Sequence, residues 1–489
     1  MEELIIRAAG GNFRGLRDDH LIRFSGVPFA KPPVGDLRWR GPQPPEKTEE
    51  IIDCTKPAPM PVQVLPPGSP LSAKPMSEDC LYLYITAPAD FADGTAAEKH
   101  AVHVWFYGGA LQAGCASSPQ LDGTAYARDG VVAVTVTYRV GVFGFMCHPD
   151  MKAEDPDGFS GNFGHRDQIA ALEWIQENIE AFGGDPDRVT ISGQSAGSGS
   201  CCTLMNAPAA RGLFHRVICH SGDIFQPERD VPLSEAEGWG QKLAESFGCS
   251  TLDEFRKIPA EELYRDGDPM MKRVGKLCAC VIDGALLPGP QGERMLRNEC
   301  MQVPVIIGTN LDEGSRWQAE AYVPAVLSRL GLPLDLYREA GDINAQATAL
   351  AIDYWYARHL SWAKIRVSEY ALPTWQYVFA RRLGPMGAFH GAEIPYTFGT
   401  LSAPPDFGSR LPYEKADEAL SALMHGYWVN FIKTADPNGP GLPEWPSKNE
   451  ETETHMQFGL VSGMKPDLLT ETGKSVIPAV DRWMRGRIS

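Results

Sequence analysis

The segment Val189-Thr-Ile-Ser-Gly-Gln-Ser-Ala-Gly197 runs from a β-branched stretch directly into a run of small residues with helical character. A serine at such a join must take a strained turn that lifts its hydroxyl above a sheet. Glycines two residues before and after it let neighbouring backbone approach closely. The pentapeptide Gly193-Gln194-Ser195-Ala196-Gly197 also arises by chance in loops, so its context carries the argument. Here Arg188–Ser192 reads as a strand and Ala196–Met205 as a helix. The helix N-terminus then faces Ser195, where its dipole favours an alkoxide and an oxyanion. Ser195 is the predicted nucleophile, and the chain is predicted to be a serine hydrolase.

The surrounding sequence agrees with that architecture. Residues 101–107 form a short apolar run, and 131–137 a β-branched run of the kind found in central buried strands. Residues 166–179 carry apolar side chains at helical spacing, Gly183-Gly-Asp-Pro-Asp187 closes that helix with a turn, and 303–308 reads as a later strand. Strand, helix and strand in succession predict an α/β protein with a mostly parallel sheet and helices on both faces. The Pro- and Gly-rich stretch 24–45 is expected to be an ordered surface loop, and the Pro-rich 57–75 a more mobile one. No repeat or low-complexity linker divides the 489 residues, so one domain spanning 1–489 is expected.

A formal net charge of −17 repels phosphate backbones and argues against a nucleic-acid partner. The opening Met-Glu-Glu-Leu-Ile-Ile-Arg lacks a basic start and a long apolar run, so no signal peptide is expected there. No apolar stretch approaches bilayer-spanning length, so no membrane partner is expected and the location is predicted to be cytoplasmic. The 11 cysteines include Cys201-Cys202 and Cys278-Ala-Cys280 but no spaced pairs with closing ligands. They read as buried free thiols in a reducing compartment, with no metal. No cofactor is expected either.

Acyl transfer at Ser195 needs oxyanion donors, a base, and an acid to orient the base. One donor is expected from the Ala196 N–H. Others are expected from the loop Gly108-Gly109-Ala110-Leu111, which follows an apolar strand. Six histidines lie downstream of Ser195: His215, His220, His359, His390, His425 and His455. His390 stands out because its segment, Met386-Gly-Ala-Phe-His-Gly-Ala-Glu393, reads as a loop with glycines around the histidine. His359 and His425 sit in helical patterns beside aromatics and read as packed or surface residues. The acid is Asp312 or Glu313, adjacent in Gly308-Thr-Asn-Leu-Asp-Glu-Gly314, and spacing leaves both open.

These segments together resemble the type B carboxylesterase family, which includes the cholinesterases. Phe24–Trp39 is similar to the family's N-terminal signature, and Ser77-Glu-Asp-Cys-Leu-Tyr-Leu-Tyr84 to its second. Asn162–Gln168, Asn178–Pro186, Val189–Gly197, Asp436-Pro-Asn-Gly439 and Gly441–Pro446 follow in family order. The resemblance covers nearly the whole chain and is closest in character to bacterial p-nitrobenzyl esterase-like members. It implies an α/β-hydrolase fold with a large central, mostly parallel mixed β-sheet flanked by helices. It implies Glu313 as the acid, His390 as the base, and Gly109, Ala110 and Ala196 as oxyanion donors. Ser221 matches a serine that supports the site by hydrogen bonding, although serine also simply fills turns. The implied activity is hydrolysis of small to medium uncharged esters through an acyl-enzyme, without a metal or organic cofactor.

Four departures from the family pattern bear on that activity. Gln194 replaces the usual Glu before the nucleophile, and is expected to keep part of a hydrogen-bond network without supplying charge. Ala110 replaces the third loop glycine, keeping the N–H but implying a tighter alcohol-side pocket. Pro61 stands where secreted members carry the disulfide partner of Cys80, and a bridge to Cys54 is not expected. Residues 57–79 lack the tryptophan that holds a quaternary ammonium in cholinesterases, which argues against choline esters. Pocket walls are expected from 57–79, 223–240, 260–280 and 310–325. Trp317, Met270 and Met271 are candidate lining residues, with core packing the expected role of each. The rival readings are an amide or carbamate hydrolase with the same triad, and a catalytically silent adhesion or scaffold protein. Silent members lose a triad residue, whereas this chain keeps all three.

Overall fold

The computed structural model describes residues 2–156, 158–224, 230–316, 319–405, 411–449, 451, 453–468 and 471–485. In chain order the strands are β1 Glu2–Ala8, β2 Gly11–Arg17, β3 Leu21–Pro28, β4 Ile51–Asp53, β5 Tyr82–Pro88, β6 His100–Phe106, β7 Val131–Val136 and β8 Gly184–Gln194. They continue as β9 Arg216–His220, β10 Val231–Pro232, β11 Val281–Ile282, β12 Val305–Asn310, β13 Thr374–Phe379, β14 Thr454–Phe458 and β15 Gly463–Pro466. One large sheet has the order β1-β2-β3-β5-β7-β6-β8-β9-β12-β13-β14-β15, with β4 beside β2. From β7 through β14 every neighbouring pair is parallel. The path from β1 to β7 and the final β14–β15 hairpin are antiparallel. The sheet is therefore mixed and mostly parallel at its centre, as expected.

Three of the central strands are buried along their whole length. Every residue of β7, β12 and β13 is buried, which is why β7 reads Val-Val-Ala-Val-Thr-Val instead of alternating. The helix Ala196–Asn206 packs on β6, β8 and β9, Ile343–Tyr370 on β12 and β13, and Lys415–Thr434 on β6, β7 and β8. The expected strands at 101–107, 131–137, 188–192 and 303–308 are β6, β7, β8 and β12 within a residue or two at most ends. Val303-Pro304 lies outside β12 because Pro304 has no N–H to give the ladder. Among the described residues no helix is long and apolar enough to cross a membrane.

Two local expectations are corrected. The turn expected at 183–187 is confined to Gly183, which closes a short 3-10 helix at φ 83°; β8 already starts at Gly184, opposite His100 across a register shift. The stretch 24–45 is a surface loop only in part: its first residues belong to β3, Pro32, Val34–Asp36 and Gln43–Pro44 are exposed, and Arg38 and Trp39 turn inward. That ring stacks on Phe255 at 4.8 Å and donates from Nε1 to the Val142 carbonyl at 2.9 Å. Arg38 beside it forms a buried pair with Glu78 and donates to the carbonyls of Arg256 and Ile258. The 57–75 stretch is anchored at Gln63, whose amide exchanges two 2.8 Å hydrogen bonds with the backbone of Gly114. Cys54 and Cys80 are free and buried, and burial pushes the Cys54 thiol up to about 12.

Candidate active site

Ser195 follows β8 directly and stands at the N-cap position of the helix Ala196–Asn206 with φ 58° and ψ −120°, a conformation rare for any residue with a side chain. The turn is held by its tight surroundings: the Ser195 N–H donates to the His220 carbonyl at 2.8 Å. A Cβ at Gly193 would come 2.4 Å from the Gly197 carbonyl carbon, and one at Gly197 would come 2.0 Å from the Phe106 carbonyl oxygen. Both glycines are therefore required by close backbone approach, the reason inferred from the sequence. The Ser195 side chain does not cap the helix, which leaves its hydroxyl to other partners.

The loop after β6 lies against this turn. A Cβ at Gly108 would be 3.1 Å from Ser195 Cβ. Tyr107 and Tyr138 stack at 4.3 Å, and each hydroxyl donates to the other residue's carbonyl, at 2.7 and 2.5 Å, fixing the start of the loop. Gly109, Ala110 and Leu111 then take φ values of 114°, 57° and 64°. The Gly109 carbonyl accepts from the N–H groups of Gln112 and Ala113, and the Leu111 carbonyl from Gly141 N–H at 2.7 Å. Among the described residues no backbone carbonyl accepts from the N–H of Gly109 or Ala110, and both residues are exposed. Ala196 is the first residue of the helix, so its N–H has no intrahelical carbonyl to bond.

The two acid candidates are adjacent in sequence but point to different partners. Glu313 is fully buried, and its Oε2 is hydrogen-bonded to His390 Nδ1. Its Oε1 accepts from the Asn310 N–H at 2.8 Å and from the Thr309 hydroxyl at 2.9 Å. Burial raises the Glu313 carboxyl, but His390, the Asn310 N–H and the nearby Ser221 hydroxyl more than offset it and hold the group below its ordinary value. Asp312 points elsewhere: it pairs with Arg382 at 2.8 and 2.9 Å and accepts from the Ala388 N–H at 2.8 Å. It thus pins the loop that delivers His390. Asn310 makes a second clamp, donating from its side chain to the Phe389 carbonyl at 2.7 Å and to buried Glu393 at 2.5 Å.

The other downstream histidines are engaged differently. His220 is fully buried, with Nε2 accepting from Trp428 Nε1 at 3.1 Å and Nδ1 2.9 Å from the Tyr377 hydroxyl. His359 is fully buried on the long helix, beside Asp223 at 3.3 Å, and His425 is buried beside Asp129 at 3.1 Å. Both are packed, as their helical patterns suggest. His390 joins a buried carboxylate to a partly exposed ring, 18% of the side chain, on a loop. The residue after it, Gly391, comes close to the amide of Gln194: a Cβ there would lie 3.6 Å from Cδ. The loops bearing Ser195 and His390 therefore meet at Gln194.

Several expectations change here. The Gln194 side chain does not keep the expected network at its buried Nε2, which has no partner among the described residues. The Ser221 hydroxyl faces Glu313 and lowers its carboxyl without forming a hydrogen bond of good geometry. Met270 is buried as expected, but Met271 is 46% exposed, because the next residue on the short helix Pro269–Arg273 is rotated by about 100° and leaves the buried face. Trp317 lies outside the described residues. Three contributors were not singled out from the sequence: Asp223, Arg358 and Trp355. Their one visible signal is that Trp355, Arg358 and His359 share a helix face at i, i+3 and i+4.

With this geometry in hand, the chain can be compared with known proteins. The family model described as "Carboxylesterase family" matches residues 2–328 and 336–472. Para-nitrobenzyl esterase of Bacillus subtilis (strain 168) is 32% identical, covering 98% of this chain and 99% of its own length. Fumonisin B1 esterase of Sphingopyxis macrogoltabida is also 32% identical, over 98% and 90%. Among solved structures, a thermophilic p-nitrobenzyl esterase aligns with a TM-score of 0.84 at 28% identity, covering 98% of this chain and 100% of that one. From the family match and the named esterases among its relatives, the chain belongs to the carboxylesterase family, with the α/β-hydrolase fold, and is a carboxylic ester hydrolase.

Proposed function

We propose that this enzyme hydrolyses small to medium uncharged carboxylic esters through an acyl-enzyme on Ser195. The observation that carries the reading is the His390–Glu313 hydrogen bond, on a loop that meets the nucleophile turn at Gln194. His390 accepts the Ser195 proton as the hydroxyl attacks the ester carbonyl. Glu313, kept ionised by its surroundings, fixes the Nδ1–H tautomer of His390 and stabilises the imidazolium. The N–H groups of Gly109, Ala110 and Ala196 hold the oxyanion as it forms. His390 returns the proton to the departing alcohol, and water then cleaves the acyl-enzyme by the same route.

In this reading the chain works as one domain, 1–489, since one sheet runs from Glu2 to Pro466. Its eleven free cysteines, all buried, support a reducing compartment, and we assign the enzyme to the cytoplasm on that basis. The partner is a small-molecule ester. The names of the relatives support ester over amide cleavage.

The test is an acyl-chain-length series of p-nitrophenyl esters, one bulky-alcohol ester and matched amides, run on the parent and Ser195→Ala. The expected result is esterase activity with a short-to-medium acyl optimum and much slower amide turnover. Undiminished turnover by Ser195→Ala would sink the mechanism, and faster amide than ester cleavage would replace the substrate class.

A further inference from the structure

A buried charged cluster links the two halves of the site from behind. On the helix Ile343–Tyr370, the Trp355 ring lies 5.9 Å from the His390 ring and 6.0 Å from the His359 ring, with the Arg358 guanidinium 5.2 Å over it. Arg358 Nη2 is 2.8 and 2.7 Å from the two carboxylate oxygens of Asp223, and His359 Nε2 is 3.3 Å from one of them. Asp223, Arg358 and His359 are all buried. Burial acts to raise the Asp223 carboxyl, but Arg358 and His359 overcome it and hold the group well below its ordinary value, so it stays ionised.

Asp223 follows Gly222, and Gly222 is packed on the nucleophile turn. A Cβ at Gly222 would come 2.8 Å from the Ser195 carbonyl oxygen, and the Gly222 carbonyl accepts from the Ser198 hydroxyl at 2.9 Å. Contacts therefore run from the Ser195 turn through Gly222 and Asp223 to Arg358 and His359, and through Trp355 to His390. Simple attachment of a helix does not need charges taken out of water, since apolar packing serves as well or better. What an ion pair adds is a fixed geometry between its ends.

We propose that Asp223, Arg358 and His359 are positioning residues for ester hydrolysis: they fix the distance between Ser195 and His390 by holding Trp355 against the base. The proposal rests on reading Ser195 and His390 as nucleophile and base. It assigns a task separate from that of Glu313, which sets the tautomer of His390 while this cluster sets where the ring stands. Displacing a reacting group by about 1 Å costs on the order of 100-fold in rate.

The experiment measures three variants, Asp223→Asn, the double variant Asp223→Leu/Arg358→Met, and Trp355→Leu. For each, the active fraction is titrated with a fluorophosphonate, and kcat and KM for a p-nitrophenyl ester are expressed per titrated site. The expected result is a fall in kcat per site of about 10- to 100-fold with KM within about twofold, in every variant that folds. A structural role alone would lower the titrated fraction and leave the per-site rate intact. Should Asp223→Asn fail to fold with Arg358 left unpaired, the charge-free double variant and Trp355→Leu, which keeps the ion pair, decide the matter. Per-site rates within twofold of the parent in the folded variants would overturn the proposal. Ser195→Ala run alongside separates the two ideas: if it retains activity the nucleophile reading fails, and if it alone is dead only the positioning role fails.

Discussion

The two halves of the site are built by different means. The Ser195 turn and the 108–111 loop are shaped by backbone: four of their residues, Gly109, Ala110, Leu111 and Ser195, have positive φ, and glycines stand where any Cβ would collide. The Glu313–His390 half is shaped by side chains. There Glu313 is held by Thr309 and Asn310, the His390 loop by Asp312 and Asn310, and the His390 ring by Glu313 and Trp355. Backbone-built parts tolerate few residue types and should fail structurally when altered. Side-chain-built parts should fail in rate while the fold persists.

The largest expected effect falls on the side-chain half. Glu313→Gln should lower kcat by roughly 10³- to 10⁴-fold, since an amide favours the wrong tautomer of His390, with the fold retained. The same variant tests the pH response of stability. The Glu313 carboxyl is lower in the folded chain than in the unfolded one, whose value is about 4.3. Its stabilising contribution is therefore complete above that pH and is lost as pH falls through the folded value. Acid unfolding of Glu313→Gln should be correspondingly flatter below about pH 4.3; an unchanged acid-unfolding curve would show that the carboxylate is not held ionised.

Next in size is Gly197→Ala, which puts a methyl 2.0 Å from the Phe106 carbonyl oxygen. Overpacking against rigid backbone costs about 1–3 kcal/mol or more. Thermal melting should drop along with activity, and the loss should appear in both the active fraction and the rate. Full rate per titrated site in a destabilised protein would place the strain away from the reacting atoms and blur the contrast between the halves.

That contrast also explains what the sequence disclosed. The Ser195 turn was legible because its geometry restricts residue type locally, so Gly193, Ser195 and Gly197 declare themselves within five positions. The central strands were legible because burial on both faces demands unbroken apolar runs. Asp312 and Glu313 were not separable, since one residue along a turn decides whether a carboxylate meets His390 or Arg382. The burial of Trp39 was not legible, because its Pro-rich neighbours look like surface and its pocket is built by Phe143 and Phe255 far along the chain. The Asp223–Arg358 contact, 135 residues apart, has no local signature at all.

Gln194 sits where the two halves meet, and Gln194→Glu should produce a smaller, pH-dependent effect. A carboxylate beside the His390 loop favours the imidazolium, so the base loses its proton only at higher pH. The acid limb of the kcat/KM profile should move upward by about 0.5 to 1 pH unit, with the plateau little changed. An unmoved limb would mean that the new carboxyl is itself neutralised by burial, and that position 194 acts only as a spacer.

The smallest effect is expected at Ala110. An alanine held at φ 57° is strained by about 1–2 kcal/mol, while glycine there would give back about 0.5–1 kcal/mol through the entropy of the unfolded chain. Ala110→Gly should therefore stabilise the protein by no more than about 1.5 kcal/mol. Its N–H is unaltered, so kcat on a p-nitrophenyl ester should hold, whereas KM for a bulky-alcohol ester should fall as the exposed methyl is removed. Unchanged KM with raised stability would make the methyl a matter of backbone strain alone, whereas a loss of kcat would show that the strained alanine, not merely its N–H, sets the direction of the oxyanion donor.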